Sequence, residues 1–221
     1  MTRSDAEQAT RAPAAFPVTG GPGHRRLTPR NLKAAETRER ILVAAAAAFD
    51  VRGYMGVNLK DVVEELGLTS GALYYFFKSK EVLAAEIIER HYATCLSLTD
   101  EVLATHANRL DSLVALTYRV GEAFEDNIIV RAGERLSAER NLIKAELHPP
   151  LVEWRDRITK LIKAGQRNDE ISRNISAPTT ADVIISFFLG AQEMDRRRSE
   201  RQGLKRRLDR FWALTLSALQ P

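Results

Sequence analysis

The chain has 221 residues, 44% hydrophobic and 28% charged, with 33 Lys and Arg against 29 Asp and Glu and a formal net charge of +4. That length can bury a substantial core and fits a small domain beside a larger one, while no apolar run approaches the roughly 20 residues of a membrane span and no signal-peptide pattern is seen. Cys95 is the single cysteine, which excludes an intrachain disulfide and suits a reducing compartment, so a cytoplasmic protein is expected.

Charge is unevenly spread. Residues 1–80 carry 12 basic against 8 acidic side chains, residues 81–194 carry 13 against 18, and residues 195–210 carry 8 against 3. A basic amino-terminal part suits phosphate neutralisation and an acidic middle does not, which confines a nucleic-acid surface to the first 80 residues. Residues 1–30 hold Pro13, Pro17, Pro22 and Pro29 among scattered charges with no apolar period and read as a disordered tail. Arg25, Arg26, Arg30 and Lys33 either lie along a minor groove or are simply solvated. Gly20-Gly-Pro-Gly23 has no preceding strand and no following helix start, so it is not a phosphate-cradling loop.

Over 37–54 the spacing predicts a helix with Ile41, Ala45 and Phe49 on one face, ended by Gly53. Leu59, Val62, Val63 and Leu66 recur at i, i+3, i+4 and i+7 and give the next helix one apolar stripe. Asn58 is its N-cap, Asp61 stands in the capping-box position, Gly67 ends it, and Thr69 caps a second short helix. Two short helices joined by a tight turn are how a helix-turn-helix reads DNA, although a generic helical hairpin would share the apolar period. Thr69, Ser70, Gly71, Tyr74 and Tyr75 lie opposite the packing side formed by Ala72, Leu73 and Phe76, and are the candidates for the major groove and its phosphates. Lys80, at the next helix start, is a candidate for the DNA backbone.

Ser79 caps a long helix to about His106, with Val82, Ile87 or Ile88, and Leu96 on its apolar side. Helices follow at about 109–127, 130–145, 150–167, 179–194 and 204–219, with Pro149, Pro150 and Pro178 as start signals. No alternating strand of useful length is found, so the fold class is all-α with about nine helices. The expected divisions are a tail over 1–30, a helix-turn-helix domain over 31–80, and a larger helical domain over 81–221. In the last two helices Val183 to Leu189 and Leu204 to Leu219 are apolar around much of the circumference, which suits either an interior helix or a two-fold four-helix interface. Phe188, Phe211, Trp212 and Leu216 are the candidate interface residues.

His91 and Cys95 are four apart on one helical face, but two ligands without a third do not make a metal site. There is no nucleophile elbow and no Gly-rich cofactor loop, so neither an enzyme nor a cofactor is expected.

The order of pieces over about 36–92, with Gly71-Ala-Leu-Tyr-Tyr-Phe-Phe-Lys-Ser-Lys80 after the turn, resembles the DNA-binding domain of TetR-family repressors. Arg131-Ala-Gly-Glu-Arg-Leu-Ser137, Pro150-Leu-Val-Glu-Trp154 and Phe188-Leu-Gly-Ala-Gln192 are similar to the γ-butyrolactone receptor branch, regulators of antibiotic production in actinomycetes. The resemblance implies a homodimer on a pseudo-palindromic DNA operator, released by a small-molecule inducer. It places Trp154 in the ligand pocket, with plain core as the alternative, and has His91 and Tyr92 reach the ligand. Tyr118 and Phe124 are added because their helix should wall the same space, and Phe187 because it replaces a small aliphatic or Thr residue common in the pocket helix. Ser70 stands where the branch typically has lysine, so the operator sequence does not carry over. Antibiotic-answering members tend to be basic, as this chain is. A γ-butyrolactone, butenolide, furan or antibiotic intermediate are the ligand classes implied, with a ligand-blind regulator or a small helical enzyme as alternatives.

Overall fold

The computed structural model describes residues 29–147, 151–198 and 203–221. The expected tail lies outside them as far as residue 28, as do the start signals at Pro149 and Pro150. Among the described residues the chain is all-α, without strands: α1 (Pro29–Arg52), α2 (Leu59–Glu65), α3 (Ser70–Phe76), α4 (Lys80–Thr105), α5 (Arg109–Asp126), α6 (Ile128–Ala138), α7 (Val152–Arg167), α8 (Ala177–Arg198) and α9 (Gly203–Leu219). A 3-10 turn, Arg140–Leu142, follows α6.

Local chemistry punctuates these helices as the sequence suggests. Asn58, Thr69 and Ser79 accept from Lys60 N, Ala72 N and Val82 N, capping α2, α3 and α4, and Asn108 and Asn127 cap α5 and α6. Gly53 and Gly67 take φ of +70° and +68°, the left-handed turn that lets the chain leave α1 and α2. Two boundaries differ from expectation. The first helix begins at Pro29, eight residues before the apolar period starts, because its first turns need no buried face and proline suits a helix's first position. Further on, α6 stops at Ala138, well short of 145, because the Glu139 carboxylate reaches back to the Tyr54 amide at 2.6 Å and the chain turns there.

Two apolar clusters organise the fold. One joins α1, α2 and α3 to the first turns of α4 and to α6, with Ile41, Ala45 and Phe49 fully buried beside Leu73, Leu83 and Ile87. The other joins the rest of α4 to α5, α7, α8 and α9. Each fully buried large side chain contributes about 1.5–3 kcal/mol of transfer free energy, so α4, which enters both clusters, is held firmly to each. Its buried side is Leu83, Ala84, Ile87, Ile88, His91, Cys95, Thr99 and Val102. Val82, expected on that side, is 46% exposed: it falls outside the stripe that Leu83, Ile87 and Cys95 set.

Candidate functional site

α2 and α3 form a reading head. Leu73 is buried in the amino-terminal cluster, and Thr69 spends its hydroxyl on the Ala72 amide at 3.2 Å, which fixes the start of α3. Tyr74 and Tyr75 then project outward, Tyr75 79% exposed, with Gly71 exposed and Ser70 half-buried between them. Both tyrosines stand largely in water on a seven-residue helix, Tyr75 edge-on to Phe76 with ring centres 4.9 Å apart. The geometry offers phenol hydroxyls and aromatic edges to an outside partner.

Lys80 departs from expectation. Its ammonium donates to the Val57 carbonyl at 2.7 Å and lies 4.4 Å from the centre of the Tyr54 ring, so it ties the start of α4 to the loop before α2 and does not reach out to a DNA backbone. Burial correspondingly lowers its affinity for a proton. Further links hold α4 to the head: the Tyr54 hydroxyl donates to Glu81 at 2.9 Å, Arg38 pairs with Glu86, and Arg90 pairs with Glu39.

One helical turn beyond Ile87, α4 opens on a cavity. Its empty volume is about 480 Å³ out to and including its mouth, of which about 30 Å³ is wide enough for a water-sized sphere to move in. His91, Tyr92, Phe124 and Trp154 line it, together with Glu134 and Phe188. The edges of Phe124 and Trp154 both meet Phe188, with ring centres 5.9 and 5.8 Å apart. Trp154 is 7% exposed, and its indole N–H has no hydrogen-bond partner among the described residues. A buried donor left unmade costs about 1–3 kcal/mol, a penalty that an acceptor arriving in the cavity would remove. At the mouth Leu151 holds a left-handed φ of 61°, strained for a leucine, just before α7 begins.

Two expected pocket residues are elsewhere. Tyr118 donates to Asp209 at 2.7 Å on the outside of α5, and Phe187 stacks on Phe211 at 4.2 Å between ring centres. One position along α8 is a rotation of about 100°, so Phe188 takes the cavity place assigned to Phe187. The candidate interface divides by the same geometry. Phe188 is 1% and Trp212 4% exposed within the single chain, and Trp212 donates its indole N–H to Thr117 at 2.9 Å. Neither is available to a partner subunit. Phe211 and Leu216 are half-buried, and the exposed large apolar groups of α8 and α9 among the described residues are Val183, Met194 and Leu214.

His91 and Glu134 supply the cavity's polar end, with Nε2 and Oε2 3.6 Å apart. Burial pushes the His91 imidazole down to about 4, so it is neutral at physiological pH, and burial raises the Glu134 carboxyl above its ordinary range. Cys95 lies beside His91, its thiol pushed up to about 12 by burial and so protonated at physiological pH. No cluster able to hold a metal ion occurs among the described residues. Glu134 was not among the residues singled out from sequence, though it sits within the quoted 131–137 motif beside the signal that could have found it, a glycine in mid-helix. Gly133 lets α6 pass so close to α4 that a Cβ there would lie 2.2 Å from His91 Cβ.

The other face of α6 grips the end of α1. Arg131 Nε donates to Asp50 Oδ2 at 3.0 Å, Arg135 donates to the Asp50 carbonyl at 2.5 Å, and Glu139 accepts from Arg135 and from the Tyr54 amide. α6 therefore touches the cavity on one side and the reading-head domain on the other.

Comparison with known proteins agrees with this arrangement. Residues 41–87 match the family model of bacterial regulatory proteins of the tetR family, and residues 107–221 match the tetracyclin repressor-like C-terminal domain. The chain is 27% identical over 190 residues to the A-factor receptor protein of Streptomyces griseus, covering 86% of this chain and 66% of that receptor, just under two thirds of its length. It is similar to a crystal structure described as a gamma-butyrolactone receptor (ArpA-like protein), at 27% identity and a TM-score of 0.71 over 86% of this chain and 90% of that one. It is also similar to CprB from Streptomyces coelicolor, solved in complex with its biological operator sequence, at 28% identity and a TM-score of 0.72 over 86% and 90% of the two chains.

Proposed function

The chain belongs to the TetR family of bacterial regulatory proteins, close to the γ-butyrolactone receptors, and from that premise we propose that it is a repressor released from its DNA operator by a small signalling molecule. In this reading it binds a pseudo-palindrome as a homodimer and controls antibiotic or other secondary-metabolite genes. The observation that carries it is a cavity beside an unpartnered, buried Trp154 N–H, built on the same helix that is tied to the reading head. A ligand-blind regulator would have no use for that void.

Thr69, Ser70, Gly71, Tyr74 and Tyr75 would meet the major groove and flanking phosphates, and two heads in a two-fold dimer would sit about one DNA turn apart. Val183, Leu214, Phe211 and Leu216 would contribute the apolar partner face on α8 and α9. Because only about 30 Å³ of the cavity leaves room for a water-sized sphere to move, a ligand of ordinary size would enter by parting the helices that line it, α4, α6 and α7 among them. Both α4 and α6 hold the reading head, so parting them alters the spacing of the two heads. Moving a two-state equilibrium from 99:1 to 1:99 takes about 5.5 kcal/mol. Two pockets per dimer, each held at about 100 times its dissociation constant, would supply about 2.7 kcal/mol apiece.

The test is selection of bound duplexes from a genomic or random DNA library, then fluorescence anisotropy on the selected duplex with and without a neutral γ-butyrolactone. The expected result is a two-fold site released by the lactone in the parent protein and retained by Trp154→Ala. Absence of sequence selection would overturn the repressor reading, and equal release from both proteins would overturn the pocket assignment.

A further inference from the structure

The cavity's polar groups restrict what can enter. Its lining includes two carboxylic side chains, Glu134 and Glu153, one imidazole, His91, one phenol, Tyr92, one thiol, Cys95, and one indole donor, Trp154, and among the described residues no Lys or Arg. Glu153 stands at the mouth, where its carboxylate lies 3.5 Å from Arg157. Glu134 is further in. The distance of 3.6 Å from its Oε2 to His91 Nε2 is too long for a hydrogen bond, so His91 does not fill the carboxyl's acceptor capacity. Its nearest cationic influence is Arg196 on α8, which is outside the lining. The position of Glu134 is imposed by the backbone: Gly133 brings α6 into contact with His91 Cβ, and the next residue then faces the same space as the imidazole.

We propose that Glu134 and His91 are the specificity-determining pair of this cavity, selecting a neutral, hydroxyl-bearing amphiphile and rejecting carboxylates. This rests on the ligand-cavity reading above and deepens it. The ligand's hydroxyl donates to the Glu134 carboxyl, with the imidazole beside it, while another oxygen accepts from Trp154 Nε1 and the apolar body packs among Phe124, Phe188 and Leu96. A carboxylate in the same place meets a second acid with no cation in the lining to neutralise it, and a buried unpaired charge is costly. With the imidazole held neutral by burial, His91 does not supply the missing positive charge.

A matched eight-carbon series isolates the head group: 1-octanol, methyl heptyl ether and octanoate, titrated into the full-length protein and its Glu134→Gln variant at pH 7.5. Emission from Trp154 reports binding, and Trp154→Phe, which leaves Trp212 as the remaining tryptophan, confirms where the signal arises. Octanol is expected to bind about fivefold or more tighter than its ether, which cannot donate, and about tenfold or more tighter than octanoate. Glu134→Gln, which keeps the shape and removes the acid, should bring octanoate to within about threefold of octanol. Octanoate binding as tightly as octanol in the parent protein, or an unchanged gap in the Gln variant, overturns the proposal while leaving the cavity as a binding site. No response from Trp154 to any of the three, up to their solubility, overturns both. The ranking in the parent protein decides the matter even if the variant does not fold.

Discussion

Adding one methyl group at Gly133 tests how α4 and α6 meet. On helix propensity alone Gly133→Ala should stabilise α6 by about 1 kcal/mol. The structure predicts the opposite sign. The new Cβ would lie 2.2 Å from His91 Cβ, 2.9 Å from its Cγ and 3.1 Å from the Ile87 carbonyl oxygen. A Cβ and a carbonyl cannot rotate aside, so recovering an ordinary contact of 3.4 Å means parting the two helices by about 1.2 Å. Overpacking costs about 1–3 kcal/mol, and a contact as short as 2.2 Å belongs at the upper end of that range, which leaves a net loss of about 1–2 kcal/mol after the propensity gain. Urea denaturation at matched protein concentration measures it, read as a lower midpoint at unchanged slope. Gly121→Ala is the control, because its Cβ would meet only the flexible ends of Leu204 and Leu208 at 3.4 Å, and it should be neutral or mildly stabilising. A Gly133→Ala protein as stable as the parent would refute the close approach, and with it the placement of Glu134 beside His91.

Tyr74→Ala and Tyr75→Ala should leave thermal stability unchanged, because both side chains stand in water, yet weaken operator binding by about 1–3 kcal/mol each by anisotropy; unchanged affinity would mean that another surface meets DNA. Leu214→Asp should convert dimer to monomer in analytical ultracentrifugation without loss of fold, since Leu214 is 81% exposed on its own chain, and a dimeric variant would remove α9 from the interface. Acid should destabilise the protein through His91: its pKa is about 4 when folded and about 6.5 when unfolded, so the unfolded chain binds the extra proton and stability falls, by up to about 3 kcal/mol, as pH drops from 6.5 to 4. Glu134, raised by the same burial, contributes with the opposite sign, so the measured quantity is the difference between the parent and His91→Gln, which should lose less stability than the parent between pH 6.5 and 4; identical profiles would refute a buried neutral imidazole.

What could be read from sequence depended on whether a signal was local. Caps, glycine stops and apolar periods act within one or two turns, so Asn58, Thr69, Ser79 and Gly67 gave the head and the start of α4 to the residue. Nothing local distinguishes an apolar face buried in its own chain from one awaiting a partner. Trp212 and Leu214 are both apolar on α9, yet one donates to Thr117 in the interior and the other stands in solvent. The Phe187 assignment failed for a related reason. On a helix apolar through Val183–Leu189, choosing which of two adjacent phenylalanines faces a cavity requires the phase of the helix, which only its neighbours fix. Lys80 was misread because an exposed-looking cation at a helix start can fold back on a carbonyl as readily as reach out, and Val57 is 23 residues upstream.

α6 carries this argument furthest. Arg131, Glu134 and Arg135 have the pattern of a solvated charged face, and in an isolated helix they would be one. Here Arg131 and Arg135 close on Asp50, and Glu134 turns the other way into the cavity. A ligand that displaces Glu134 therefore cannot leave the α1 contacts untouched, because a helix of 11 residues moves as a rigid body. α4 acts as a second lever. His91 is 11 residues from Lys80, about 16 Å along the axis, so a tilt of about 5° at the cavity carries the start of α4 by about 1.4 Å. Lys80, Glu81 and Glu86 grip the head along that stretch, and it must follow. In a dimer both heads would move, which changes their separation by about twice that amount, enough to spoil hydrogen bonds whose useful range is a few tenths of an ångström. Large rearrangement would be unnecessary: the close packing of α4 against α6 at Gly133 would turn a small displacement at a bound ligand into a displacement of the reading head.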